Sequence, residues 1–180
     1  MKDKKIVEIL RRGGITVIPT DTIYGLVGSA FSKKAIERIY KIKGRKKTKP
    51  FIILISSFND LKRFNIKPSV KELKILKKIW PAPVSIILPC PSKKFSYLHR
   101  GTKNLAFRLP KKKSLIAILK KSGPLVAPSA NPEGCKPAQT VKEAKKYFGD
   151  KIDFYVNSGH LAGRPSKLVS IESGIIKLLR

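Results

Sequence analysis

Ile15-Thr16-Val17-Ile18-Pro19-Thr20-Asp21-Thr22-Ile23-Tyr24-Gly25-Leu26 is the stretch on which the fold reading turns. Residues 15–18 form a short apolar run of strand length, and small hydroxyl side chains follow it at once. In open α/β sheets ligands collect beyond the carboxyl ends of strands, so residues 19–26 are a candidate binding segment. A turn rich in hydroxyls also has a purely structural origin, because Thr and Ser side chains bond the neighbouring backbone.

Working outward, Ile6, Ile9 and Leu10 recur at helical spacing and predict a helix over 4–12, stopped by Gly13-Gly14. On the other side, Ser32 stands as an N-cap before an amphipathic helix over 33–43 that ends at Gly44. The continuous apolar run 51–55 predicts a strand covered on both faces. Further helices are predicted over 69–80, 114–121 and 140–148, the first stopped by Pro81 and the last capped by Thr140. Strands are predicted over 84–88, 105–109, 125–127, 154–156, 168–171 and 175–178. Strands and helices alternate without an Asn-Gly hairpin signal, which favours an α/β layered domain with helices covering the sheet.

A chain of 180 residues is the size of one domain, so residues 1–180 are read as a single unit. No apolar run approaches the roughly 18 to 20 residues that span a bilayer. The charged start of the chain lacks the apolar core of a secretory signal. Cys90 and Cys135 stand far apart, with neither zinc-ligand spacing nor a disulfide framework. These features predict a cytoplasmic protein with no membrane association.

The charge is unusual: 40 Lys and Arg against 11 Asp and Glu give a formal +29. Such a field draws anions, nucleotides or nucleic acids among them, and costs stability through self-repulsion. Much of the excess is Lys in pairs and triplets on predicted helix faces, which a Lys-favouring genome composition also produces. The scarcity of acids is the firmer constraint. Few carboxylates remain for an acid/base pair or an all-protein metal cage, so fixed cations are the expected catalytic means and no protein metal site is expected.

Neither a GxxxxGK[ST] loop nor a GxGxxG after a strand is present. Three further segments carry compositions that packing does not explain. Lys43-Gly44-Arg45-Lys46-Lys47-Thr48-Lys49-Pro50 crowds cations between a helix end and a buried strand, more than complementing a helix dipole requires. Ala127-Pro128-Ser129-Ala130-Asn131-Pro132 places a hydroxyl and an amide just past a strand, and Gly163-Arg164-Pro165-Ser166-Lys167-Leu168 leads a Ser into another. Arg108 lies inside an apolar strand and needs a partner, which a bound carboxylate or phosphate could supply.

Residues 19–26, Lys43-Gly44-Arg45 with Lys49-Pro50, Trp80-Pro81-Ala82-Pro83, 105–110 with Arg108, Pro128-Ser129-Ala130-Asn131 and the late Ser166 together resemble the YrdC-like threonylcarbamoyl-AMP synthases, in the family's order along nearly the whole chain. The resemblance implies a twisted, mixed open sheet flanked by helices with a concave basic face. It implies a short, single-domain enzyme that joins L-threonine, bicarbonate or CO2 and ATP into threonylcarbamoyl-AMP and pyrophosphate, the first step of the t6A modification at position 37 of tRNAs reading ANN codons. Under it, Thr22, Arg108, Ser166 and the backbone at Ala127 would hold threonine, Arg108 by a bidentate pair with its carboxylate. Lys43, Arg45 and Lys49 would grip the ATP phosphates, Lys43 and Arg45 as catalytic cations, with Ser129, Asn131, Asn104 and Arg180 also at the nucleotide. Mg2+ would arrive with ATP, and the t6A transferase machinery would take the product onward. Against the usual family pattern, Lys167 follows Ser166, Leu54 stands where some relatives have His, Ala82 replaces Gly and Lys46 replaces Pro. Two alternatives stay open: a same-fold paralogue with another carbamoyl or adenylate substrate, and a non-catalytic module binding tRNA or double-stranded RNA.

Overall fold

The computed structural model describes residues 2–172 and 175–179. Nine strands form one mixed sheet: β1 (Ile15–Pro19), β2 (Tyr24–Ser29), β3 (Ile53–Leu54), β4 (Val84–Pro89), β5 (Asn104–Arg108), β6 (Leu125–Val126), β7 (Phe154–Tyr155), β8 (Lys167–Glu172) and β9 (Ile175–Leu178), in the order β7-β1-β2-β6-β3-β5-β4-β8-β9. The pairs β1–β7, β3–β5 and β4–β8 are parallel and the other five antiparallel.

Among the described residues six α-helices cover this sheet: α1 (Lys2–Arg11), α2 (Lys33–Lys43), α3 (Val70–Ile79), α4 (Ser96–His99), α5 (Lys113–Ser122) and α6 (Val141–Phe148). Strand alternation sorts them into layers. Ile15, Val17, Tyr24 and Leu26 join α2, α3, α4 and α6 in one core, while Ile18 and Val27 join α1 and α5 in the other. Phe64 anchors the larger core, with ring centroids 5.1 Å from Phe31, 5.4 Å from Phe95 and 5.0 Å from Phe107.

The local signals for the helices match what is observed. Ser32 Oγ accepts from the Ala35 amide, Gly44 closes α2 in the left-handed region at φ 60°, and Thr140 Oγ1 accepts from the Glu143 amide.

Two expectations for the strands need correction. Residues 19–26 do not simply leave a strand: they turn a hairpin, and Tyr24–Ser29 returns antiparallel to Ile15–Pro19. No Asn-Gly is needed because Thr20 makes the turn. Its amide and hydroxyl both donate to the Ile23 carbonyl, at 3.2 and 2.7 Å, and its oxygen accepts from the Thr22 amide at 3.1 Å. The apolar run 51–55 has only Ile53–Leu54 in the ladder, between β5 and β6, with single bonds from Ile55 to Arg108 and from Ala127 to Ile52 on either side.

Phe64→Ala should lower stability by about 3–5 kcal/mol, because three aromatic neighbours lose their common contact and a cavity replaces it. Denaturant unfolding measures this, and the midpoint should fall with little change in slope.

Candidate active site

The hairpin turn, the loop after α2, and the ends of β5, β6 and the approach to β8 converge on a cavity of about 200 Å³. Thr20, Thr22 and Ile23 come from the hairpin, Arg45, Pro50 and Phe51 from the loop, and Ala106 and Arg108 from β5. Ala127 and Ser129 line it from beyond β6, and Pro165 and Ser166 from the approach to β8. Six residues singled out from the sequence, Thr22, Arg45, Arg108, Ala127, Ser129 and Ser166, thus face one space.

Arg108 is 4% exposed, and the partner its burial demands is Asp21. Arg108 Nη2 lies 3.1 Å from Asp21 Oδ1, both side chains buried, and Nη1 donates to Thr22 Oγ1 at 3.2 Å. A partner for Arg108 that the sequence left to a bound carboxylate or phosphate is thus already present, because the hairpin carries a counter-ion. Burial pulls the guanidinium below its usual range and Asp21 opposes this. Among the described residues the buried Arg108 Nε and Asp21 Oδ1 each have no hydrogen-bond partner, so the contact with Asp21 is an ion pair rather than a hydrogen bond. Thr22 is held for this contact by Thr20, whose hydroxyl oxygen is 3.0 Å from its own. On the far wall Ser166 Oγ shares a hydrogen bond with Ser85 Oγ of β4 at 3.0 Å.

Lys43 departs most from its expected place. It is 2% exposed and does not line the cavity. Its ammonium donates to the Ser129 carbonyl at 2.6 Å and to the Asn131 carbonyl, while its own carbonyl accepts from the Glu133 amide at 2.7 Å. The end of α2 thereby fixes the loop that presents Ser129. Burial first, then Arg45, pushes the Lys43 ammonium down to about 8, with Glu133 opposing.

Arg45 lies at the cavity rim, its guanidinium 5.5 Å from the centre of the Phe51 ring and its Nε donating to the Lys49 carbonyl. Tyr40 Oη donates to that same carbonyl at 3.0 Å, which ties the loop to α2. Lys49 itself is paired with Glu133 at 2.7 Å, outside the cavity lining. Asn131 is buried, its amide donating to the Pro132 and Cys135 carbonyls. Asn104 sits exposed at the start of β5, bonded to Thr102 and away from the cavity. Arg180 lies outside the described residues.

A strap over 157–166 closes one side. Tyr24 Oη donates to the Gly159 carbonyl at 2.8 Å and accepts from the Ser158 amide at 2.9 Å. Gly163 lies so close to the hairpin that a Cβ there would be 1.9 Å from the Thr22 carbonyl oxygen. Sequence reading overlooked Asp21, Glu133, Tyr24 and Gly163. The signal available for Asp21 was its place in a buried hydroxyl turn in a chain poor in acids.

The Sua5_yciO_yrdC family profile, described as Telomere recombination, matches residues 8–180. The chain belongs to this family. It is 34% identical over 176 residues to the threonylcarbamoyl-AMP synthase of Bacillus subtilis, an alignment covering 96% of this chain and 51% of that protein. The Halorhodospira halophila threonylcarbamoyl-AMP synthase is 30% identical over 168 residues, covering 92% of this chain and 87% of that one. Pyrococcus abyssi Sua5 in complex with L-threonine superposes with a TM-score of 0.90 at 28% identity, covering 99% of this chain and 53% of that one. The chain thus spans about half the length of the Bacillus and Pyrococcus relatives. The fold expected from the resemblance, a mixed α/β sheet flanked by helices, is the one observed. No helix among the described residues is long and apolar enough to cross a membrane.

Lys43 gives a pH signature. Its value in the folded chain, about 8, lies below its ordinary 10.5, so between these limits the unfolded chain binds more protons. Stability gained from this group therefore rises as pH climbs through that window. Lys43→Met should remove this rise, read by comparing denaturant unfolding of both proteins across the window. Gly163→Ala should detach the strap, seen as new protease cleavage within 157–166 while amide exchange in the central strands stays slow.

Proposed function

We propose that this protein is a threonylcarbamoyl-AMP synthase acting on L-threonine, bicarbonate and ATP. The observation that carries the reading is one cavity bounded by two kinds of cation: Arg108, buried and lining it with Thr22 and Ser166, and Arg45, whose Nε donates to the Lys49 carbonyl. The first suits a small amino acid and the second a polyphosphate. The L-threonine bound by the Pyrococcus relative supports the first assignment.

In this scheme the threonine amine adds to bicarbonate with loss of water to give a carbamate. A carbamate oxygen then attacks the α-phosphorus of ATP, and pyrophosphate leaves. Two anions must meet in this step. Fixed cations offset their repulsion and stabilise the charge gathering on the phosphates, while a shared cavity provides proximity. No protein nucleophile is required. Thr22 and Arg108 would take the threonine hydroxyl and carboxylate, with Ser166 and the Ala127 backbone completing the pocket. Arg45, Lys49 and Ser129 would face the nucleotide, with Asn104 and Arg180 contributing as the family pattern implies. Lys43 and Asn131 would act by holding the Ser129 loop. Magnesium would enter as part of the nucleotide substrate, and the carboxylates Asp21 and Glu133 are each tied to a cation. The product would pass to the t6A transferase machinery in the cytoplasm, and the +29 charge favours encounter with tRNA.

Incubation with ATP, threonine and bicarbonate should release pyrophosphate and yield the adenylate by mass spectrometry. Salt-sensitive RNA binding with no adduct would sink the proposal in favour of a binding module. Arg45→Ala should reduce adduct formation about 100-fold or more without unfolding the protein. Arg108→Lys, which loses the bidentate fork, should raise the KM for threonine more than that for ATP.

A further inference from the structure

The strongest feature not used by this scheme is Glu133, which follows the Ser129–Asn131 loop. Its Oε1 accepts from Lys49 Nζ at 2.7 Å and its Oε2 accepts from the Lys46 amide at 2.9 Å. Its own amide is anchored to the Lys43 carbonyl. The hydrogen bond from Lys49, followed by that from the Lys46 amide, holds the carboxyl below the usual carboxylate range. It is therefore ionised at neutral pH. An ammonium and a backbone N–H converging from a loop just past a helix end are the donors that a phosphate oxygen would take.

We propose that Glu133 is an internal stand-in for a polyphosphate, occupying the Lys49 and Lys46 donors until a nucleotide displaces it. The inference rests on the reading of this loop as the triphosphate site. It adds a residue that sets nucleotide affinity. Glu133 gathers the basic loop, whose cations otherwise repel one another: Lys43, Arg45, Lys46, Lys47 and Lys49 lie within one short stretch. When a polyphosphate arrives, Lys49 exchanges a carboxylate for a phosphate, and the released carboxylate stays close to a polyanion. Both effects weaken binding and make it reversible. Glu133 thereby tunes the site toward release, which suits an enzyme that must discharge pyrophosphate each turn. Glu37, which pairs with Lys47 and Arg100 on the α2 side, stabilises the same loop from behind without touching Lys49.

The test compares binding of inorganic triphosphate and of ATP by calorimetry at low salt, in the unmodified protein, Glu133→Gln and Glu8→Gln. Glu8→Gln removes the same unit of charge from the exposed face of α1, where Glu8 pairs with Arg12. Glu133→Gln should bind triphosphate about three- to fivefold tighter, in line with removal of one exposed ion pair, and Glu8→Gln should not. The gain should shrink as salt rises. The KM for ATP should fall in parallel while that for threonine stays fixed. Weaker or unchanged triphosphate binding in Glu133→Gln overturns the proposal, because Glu133 would then be positioning Lys49 or merely adjacent to it. An equal gain in Glu8→Gln overturns it as well, because net charge alone would be responsible. Tighter triphosphate binding without ATP turnover would uphold Glu133 as the stand-in and refute the synthase reading instead.

Discussion

A strongly cationic chain buries two of its cations, Lys43 and Arg108, beside the same cavity, and the surrounding structure is organised by what each must be given in return. Removing a charge from water costs several kcal/mol unless the protein supplies equivalent contacts. Arg108 receives a carboxylate and a hydroxyl from the hairpin turn. Lys43 receives two carbonyls from the loop past β6. Each solution ties a wall of the cavity to a different part of the sheet, so desolvation and architecture are settled by the same contacts.

The difference between the two sites matters chemically. Burial, then Arg45, lowers the Lys43 ammonium, whose carbonyl partners neutralise no charge, and the residue serves as a structural clamp. Burial lowers the Arg108 guanidinium too, but the Asp21 carboxylate opposes this, and among the described residues one buried N–H of Arg108 is still unmatched. Under the proposed function, an amino-acid carboxylate approaching Arg108 would meet a guanidinium already oriented but only partly satisfied. Preorganisation of that kind is what makes electrostatic recognition effective, because the reorganisation has been done during folding.

Features fixed within a few residues were legible in the sequence. The caps at Ser32, Thr140 and Gly44 are local hydrogen-bond and backbone problems, and residue type declares them. The second strand of the hairpin was not legible, because Gly25 and Gly28 depress strand propensity. Gly28 is there for a distant reason: a Cβ would come within 3.2 Å of Ala35, Ile15 and Ile39. At the site, the motif residues Thr22, Arg108, Ser129 and Ser166 indicated a cavity through their types and family-like order. Their counter-charges did not. Asp21 and Glu133 acquire meaning only through partners far along the chain, and nothing adjacent to Lys43 signals that its ammonium turns inward.

The strand order carries one more consequence. Thr22 meets Arg108 across 86 residues of sequence, Lys43 meets Ser129 across 86, and Ser85 meets Ser166 across 81. Contacts so distant along the chain are costly to close and form late in folding. The cavity is therefore complete only when these distant segments have met. A ligand held by this cavity would thus be coupled to the integrity of the whole sheet.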